Sequence, residues 1–138
     1  MHTHKITVYM ADTDAGGVVY HANYLRFAEQ ARSEMAADLG FANHILMQEH
    51  GCLFVIRSAS LSYHKPAKCG DVLTIHSTPG KIDGVRLPFK QQIFCGEQHL
   101  TDIDVLLICV NESFKPMRIP EFIRDAMQSE KLRLAKSS

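Results

Sequence analysis

The sequence predicts an α+β domain in which a curved antiparallel sheet wraps around one long helix. Three observations predict it: an early stretch has helical periodicity, one strand-like stretch precedes it, and four more follow it with short turns between them. Strands joined by short turns pair antiparallel, which leaves the early helix to cover one face of their sheet. We expect residues 1–138 to form one domain, long enough to bury a core without disulfides.

The first half of the chain is predicted to contain a strand, a loop and two helices. Residues 4–10 are rich in β-branched and aromatic side chains, which favours a strand, and the turn-rich segment 11–17 follows. From residue 22 to 39 apolar residues recur at spacings of three and four, and Gly40 follows as a helix-ending glycine. The segment from residue 22 to 39 contains many small residues, which predicts that its helix is the buried central one. A shorter helix is predicted over residues 43–50.

The second half of the chain is predicted to contain four strands and a terminal helix. The strands span residues 53–63, 71–78, 85–94 and 98–111, where β-branched and apolar residues are frequent. Turn-forming glycines and prolines separate most of them. The helix spans residues 120–136. No internal repeat or linker interrupts this order, so a single layered domain is expected.

The charge balance limits the classes of partner. Lys plus Arg number 15 and Asp plus Glu number 15, so the formal net charge is zero. This balance argues against nucleic acid as a partner, because non-specific binding needs a basic face, and it is compatible with an oligomer. The first residues lack the features of a signal peptide, and the longest apolar run, residues 105–110, is too short to span a bilayer. We therefore expect a cytoplasmic protein without a transmembrane segment.

The metal-binding and nucleophilic residue types form no familiar motif. The four cysteines contain no C-x-x-C pair, so we expect reduced, structural thiols. The eight histidines contain no H-x-x-x-H pair with a third ligand at suitable spacing, so we expect no metal, and nothing indicates a cofactor. No serine stands in a G-x-S-x-G motif, which excludes the α/β-hydrolase route to ester or thioester hydrolysis.

A long motif links the glycine loop to the helix. Residues 12–25 read DTDAGGVVYHANYL, and this segment resembles the signature of the YbgC-type acyl-CoA thioesterases, within the 4-hydroxybenzoyl-CoA thioesterase family of hotdog proteins. The likeness continues through residues 29–34, 54–58, 63–67 and 70–73. The first motif is the specific one, because it is long and holds its glycines and its carboxylate at fixed places.

The resemblance implies both an architecture and an activity. The implied fold is a five-stranded antiparallel sheet around a long central helix. Dimers join edge to edge into one continuous sheet, the active sites lie at the dimer interface, and dimers of dimers also occur. The implied activity is hydrolysis of acyl-CoA or acyl-carrier-protein thioesters to the free acid and thiol.

The resemblance also implies the catalytic residues. Asp14 matches the catalytic carboxylate, which either attacks the carbonyl or deprotonates a water molecule, and the sequence leaves both open. The first N–H groups of the following helix lack internal partners and lie at its positive end, where they can polarise a thioester carbonyl. His21 matches the key backbone donor, and both a catalytic and a structural role remain open for its imidazole. Gly16 and Gly17 are expected to let the backbone bend and the substrate approach.

Other residues are candidates for substrate binding. Tyr24 is expected to pack at the first helical turn with its hydroxyl in reach of the site. The nucleotide end of the substrate carries phosphates, so Arg57, Arg86 and Lys90 are candidates to bind it. The competing interpretation of each is a solvated surface charge. Asp12 is expected to fix the loop rather than to act as a second acid.

Two other functions remain open. A hotdog 3-hydroxyacyl-thioester dehydratase would keep the fold, but it uses a histidine and an acid at other positions, and the D-x-D-x-G-G pattern argues against it. A role as a thioester-binding or scaffold partner of a cell-envelope system is also open, because YbgC-like proteins are associated with the Tol-Pal system.

Overall fold

The structure, a computed structural model, describes residues 2–137, and the side chains of residues 2–129. Its elements in chain order are β1 (His2–Thr7), α1 (Ala22–Asp38), α2 (Asn43–His50), β2 (Cys52–Tyr63), β3 (Val72–Pro79), β4 (Arg86–Cys95), β5 (Gln98–Asn111) and α3 (Glu121–Ser137). A short 3-10 turn at Met10–Asp12 follows β1.

The five strands form one antiparallel sheet in the order β1-β3-β4-β5-β2. The sheet and its neighbouring helices confirm the α+β hotdog class that the sequence predicts. The longest pairing joins β2 to β5, from Cys52 opposite Asn111 to Tyr63 opposite Thr101. β1 and β2 are the two edge strands, and the outer edge of β2 has no partner strand within residues 2–137.

The core lies between α1 and one face of the sheet. α1 buries Phe27, Ala28, Ala31 and Met35, each 0–1% exposed, because its apolar residues recur every three or four positions. The two alanines allow the sheet to approach closely. The facing side chains are Leu73, Ile75, Leu87, Ile93 and Ile103. Each fully buried aliphatic side chain contributes roughly 1.5–3 kcal/mol to folding.

A polar network crosses this core. Arg32 on α1 is 9% exposed, and its Nη1 donates to Gln91 Oε1 on β4 at 2.7 Å. Gln91 Nε2 donates in turn to Ala28 O and to Ser77 Oγ on β3, both at 2.9 Å. Burial lowers the pKa of Arg32, and the nearby Glu29 carboxylate opposes that shift. The network therefore joins the helix to two strands at the centre of the sheet.

The first strand ends earlier than the sequence predicts. The prediction was a strand over residues 4–10, whereas β1 ends at Thr7 and the 3-10 turn Met10–Asp12 follows. The cause is local: Asp12 Oδ2 accepts a hydrogen bond from Tyr9 N at 2.9 Å. This side-chain bond competes with pairing in the sheet and turns the chain toward the glycine loop.

The terminal helix α3 packs beside the end of β3 and the start of β4. Ile123 and Met127 are buried, and Arg124 donates to Ile119 O at 3.1 Å and to Gly84 O at 3.0 Å. Among the described residues, no helix has the length and apolar content needed to cross a membrane.

Candidate active site

The glycine loop folds back on itself and is tied to the segment after β2. Asp14 N donates to Val18 O at 2.9 Å, and Gly17 N donates to Asp14 O at 3.1 Å. Gly17 has a φ of +80°, a conformation that favours glycine. Val19 N donates to Ala67 O at 2.9 Å, which fixes the loop against the rest of the chain.

The Asp14 side chain is exposed and held through one oxygen. Its Oδ1 accepts a hydrogen bond from Gly16 N at 2.8 Å. Within the described residues, Asp14 Oδ2 has no hydrogen-bond partner and faces solvent. A Cβ at position 16 would lie 3.2 Å from Asp14 Oδ1, closer than an ordinary contact. Gly16 therefore leaves room for the carboxylate in an oriented but accessible position.

Asp12 anchors the base of the loop, as the sequence predicts. It is 8% exposed and pairs with Arg26 on α1. Its backbone oxygen accepts hydrogen bonds from Tyr20 N at 3.1 Å and from Asn23 Nδ2 at 2.8 Å. These bonds connect the loop to the first turn of the helix.

The beginning of α1 presents free backbone donors. His21 is the residue before the helix, and Asn23 N and Tyr24 N donate to Tyr20 O and His21 O at 2.9 and 3.3 Å. Among the described residues, the N–H groups of His21 and Ala22 have no hydrogen-bond partner. The helix has 17 residues, so its aligned peptide dipoles make this end favourable for a negatively charged oxygen.

The His21 imidazole is exposed and lies between two tyrosines. Its ring stacks on Tyr20 with 5.6 Å between centroids and lies 5.9 Å from the ring of Tyr63. The Tyr63 hydroxyl donates to His21 O at 3.3 Å. Tyr63 is therefore a site residue that sequence reasoning did not assign, and its only signal in the sequence is its place at the start of the segment of likeness 63–67.

Tyr24 lies under the site. It is 2% exposed, its hydroxyl accepts a hydrogen bond from Ala67 N at 3.1 Å, and its ring packs edge-on against Tyr63 at 5.2 Å. Its hydroxyl thus supports the segment that holds the glycine loop. Direct contact between Tyr24 and substrate stays a prediction.

The three predicted phosphate-binding residues are exposed, and two of them, Arg57 and Arg86, lie away from the glycine loop within one chain. Arg57 stands in a bulge of β2, Arg86 begins β4, and Lys90 lies in the middle of β4. The glycine loop lies near the other end of β2, at Tyr63. Six residues of strand, about 20 Å, separate Tyr63 from Arg57. One chain alone does not bring Arg57 or Arg86 together with Asp14.

Comparison with known proteins identifies the family. Residues 16–101 match the family model of the thioesterase superfamily, which is more than half of the chain. The chain belongs to this family. The thioesterase is 40% identical over 120 residues to the acyl-CoA thioester hydrolase YbgC of Escherichia coli O6:H1, covering 86% of this chain and 89% of that protein. It is 34% identical over 122 residues to the acyl-CoA thioesterase YbgC of Haemophilus influenzae, covering 88% and 90%.

A solved structure supports the same assignment. The thioesterase superposes on a probable thioesterase from Bartonella henselae with a TM-score of 0.83 at 38% identity, covering 86% of this chain and 98% of that chain. The predicted YbgC-type membership and thioester hydrolase activity are therefore confirmed at the level of the family. The family match begins at Gly16, so the role of Asp14 stays a prediction.

Proposed function

We propose that this thioesterase hydrolyses acyl-CoA or acyl-carrier-protein thioesters, with Asp14 as its catalytic carboxylate. The observation that carries the proposal combines two features. The exposed Asp14 carboxylate is fixed through one oxygen by Gly16 N, and at the start of α1 the N–H groups of His21 and Ala22 have no partner within residues 2–137. The YbgC relatives are named acyl-CoA hydrolases, which supports the substrate class.

In the proposed reaction, the thioester carbonyl oxygen accepts a hydrogen bond from His21 N. Negative charge develops on this oxygen as the carbonyl carbon is attacked, so the donor and the helix dipole stabilise the transition state more than the ground state. Asp14 either attacks the carbon, giving an anhydride that water opens, or takes a proton from the attacking water. The carbon–sulfur bond breaks, the sulfur leaves as a thiolate that takes up a proton, and the net reaction consumes one water.

The surrounding contacts suit this role for Asp14. Asp12, paired with Arg26, fixes the base of the loop, and Tyr24 supports Ala67 on its other side. The carboxylate is thus carried by a loop that both α1 and the segment after β2 hold in place. A positioned carboxylate avoids reorganisation at the moment of reaction.

The proposal includes a homodimer formed along the open edge of β2. Residues 56–60 of this edge strand are exposed, with Ile56 48% exposed. Antiparallel pairing of two copies reverses the direction of the strand, so Arg57 of one copy approaches the Tyr63 end of the other. The dimer thereby supplies the basic side chains that one chain does not place near Asp14. Pairing of dimers into a tetramer belongs to the same proposal.

A cavity of about 340 Å³ beside the start of β2 is the proposed acyl pocket. In the dimer, the start of β2 in one copy lies near the glycine loop of the other. The lining is mainly apolar, which suits an acyl group. The apolar residues lining it include Ala36, Phe41, Leu46, Phe54, Leu107 and Met127.

The proposed location is the cytoplasm. The four cysteines are thiols, and the buried Cys52 and Cys109 lie in contact without a disulfide. Burial, and then the neighbouring Cys52, raises the pKa of Cys109 to about 12, so it stays neutral and unreactive. Unoxidised neighbouring thiols are typical of a reducing compartment. A cell-envelope protein partner stays a prediction.

The test is a thiol-release assay with a panel of CoA and carrier-protein thioesters that covers short, long and aromatic acyl groups. We expect turnover on at least one series, with an acyl-length profile set by the pocket. The exposed thiol of Cys69 is expected to react with the thiol reagent. Protein without substrate therefore measures the background signal. Absence of turnover across the whole panel would overturn the proposal and favour the scaffold role.

A further inference from the structure

Three potential metal ligands meet at the end of the sheet, apart from the glycine loop. His64 Nε2 lies 2.9 Å from Asp102 Oδ2, and His99 Nε2 lies 2.7 Å from Asp102 Oδ1. The three ligand atoms all lie within 4.8 Å of one another, and the imidazole centroids are 4.9 Å apart. Each histidine therefore directs its Nε2 atom at the Asp102 carboxylate.

A β-bulge brings His99 and Asp102 to the same side of the sheet. Residues three apart in a regular strand point to opposite faces. In β5, however, His99 pairs with Phe94 and Thr101 pairs with Ile93, so Leu100 is an extra residue. Leu100 and Thr101 are 1% and 0% exposed, so both of these consecutive side chains point inward. The bulge thus redirects His99 toward Asp102.

The two imidazoles are held by separate contacts. His64 N donates to Leu100 O at 2.8 Å, so the bulge also positions the residue that follows β2. The His99 ring stacks on Phe94 with 4.7 Å between centroids and 18° between planes. The two imidazoles are therefore partly fixed before any cation binds. The bulge at Leu100 positions both histidines.

We propose that His64, His99 and Asp102 bind a divalent transition-metal cation of the Zn²⁺ class. Two imidazoles and one carboxylate suit Zn²⁺, with a fourth position left for water. Metal–ligand bonds of about 2.0–2.1 Å place tetrahedral ligand atoms about 3.3 Å apart, so modest side-chain shifts suffice. The side chains have room to shift, because they are 44%, 34% and 38% exposed.

The cation would replace the protons that the carboxylate now shares with the two rings. The sequence expectation of no metal came from the lack of a helical histidine pair. Here His64 directly follows β2, and His99 and Asp102 lie on either side of the bulge in β5.

The site would join β5 to the residue that directly follows β2. Tyr63 precedes His64, and its hydroxyl donates to the backbone of His21. Bound metal would stabilise this corner without touching Asp14. The proposal does not depend on the assignment of Asp14, so Asp14→Asn is expected to bind metal normally.

The experiment titrates the full chain, without an affinity tag and after chelator treatment, with Zn²⁺ by calorimetry and with Co²⁺ by visible absorption. We expect one cation per chain and a higher melting temperature in its presence. His99→Ala and Asp102→Asn are expected to weaken binding by at least about 100-fold. His76→Ala is the matched control, because His76 packs edge-on against Phe94 at 5.4 Å but lies outside the cluster, and its affinity should not change.

Three results would overturn the proposal: no binding of either cation, binding unchanged in His99→Ala and Asp102→Asn, or an equal loss in His76→Ala. Circular dichroism checks that the variants fold. X-ray absorption of the zinc-loaded unmutated protein gives a result that needs no variant. Imidazole and oxygen ligands are expected there, and a spectrum without imidazole would contradict the site.

Discussion

At the scale of single residues, the site depends on how one carboxylate is held. Asp14 Oδ1 accepts a hydrogen bond from Gly16 N, and Oδ2 has no hydrogen-bond partner among the described residues, so the side chain is oriented with one oxygen available. The adjacent glycines have different roles. Gly17 supplies a backbone conformation with φ +80°, whereas Gly16 supplies space beside the carboxylate. Substitution separates these roles.

Gly16→Ala is expected to lower turnover with little change in stability. The new methyl group would lie 3.2 Å from Asp14 Oδ1 and would displace the carboxylate. We expect kcat to fall by roughly 10–100-fold, since a small misplacement of a catalytic group has effects of this size. Thiol-release kinetics and thermal melts measure both quantities. Gly17→Ala, by contrast, should cost about 1 kcal/mol of stability. Equal kcat in Gly16→Ala and the unmutated protein would contradict this role of Gly16.

At the scale of elements, the position of α1 over the sheet depends on apolar packing and on the network of Arg32, Gln91 and Ser77. The guanidinium is buried, so its contact with Gln91 is needed to offset lost hydration. Because the same helix begins at the glycine loop, this network also stabilises the direction in which the N–H groups of its first turn point.

Gln91→Leu is expected to destabilise the fold by about 2–3 kcal/mol, because it leaves Arg32 and Ser77 without their shared partner in the core. Urea denaturation measures the change. Gln92→Leu is the matched control, since Gln92 is the next residue of β4 and is exposed, so its change should stay within about 0.5 kcal/mol. Similar losses in both variants would show that the network does not stabilise the core.

The sequence predicts the elements better than their irregularities. Periodicity predicted α1 and the four later strands because burial of one face leaves a repeating pattern. The bulge at Leu100 changes which residues pair without changing composition, so the meeting of His99 and Asp102 was not predictable. The contact of Tyr63 with His21 likewise depends on where the end of β2 meets the helix. The motif around Asp14 was predictable because it is continuous in sequence.

At the scale of the whole molecule, one chain does not bring all of the predicted site residues together. Arg57 lies in the middle of β2 and Arg86 at the start of β4, whereas the glycine loop lies at the Tyr63 end of β2. The outer edge of β2 is open within the described residues. Assembly along this edge is the simplest way to bring them together. Activity should therefore depend on dimer formation.

Ile56→Asp is expected to weaken the dimer. Ile56 is 48% exposed on the edge strand, and a charge there would have to be desolvated when two copies pair. Light scattering should show a lower mass, and specific activity should fall on dilution. Val72→Asp is the control, since Val72 is 51% exposed but lies on an inner strand. An unchanged mass for Ile56→Asp would contradict assembly through β2.

The most direct test of the account is turnover of Asp14→Asn. The asparagine can keep the hydrogen bond from Gly16 N, so the loop should stay in place while the carboxylate charge is lost. We expect kcat to fall by at least about 100-fold with an unchanged melting temperature. Asp71→Asn is the matched control, because Asp71 also caps a turn, accepting from Lys68 N at 2.9 Å, and it should retain activity. Near-normal turnover of Asp14→Asn would contradict the assignment of Asp14 as the catalytic carboxylate.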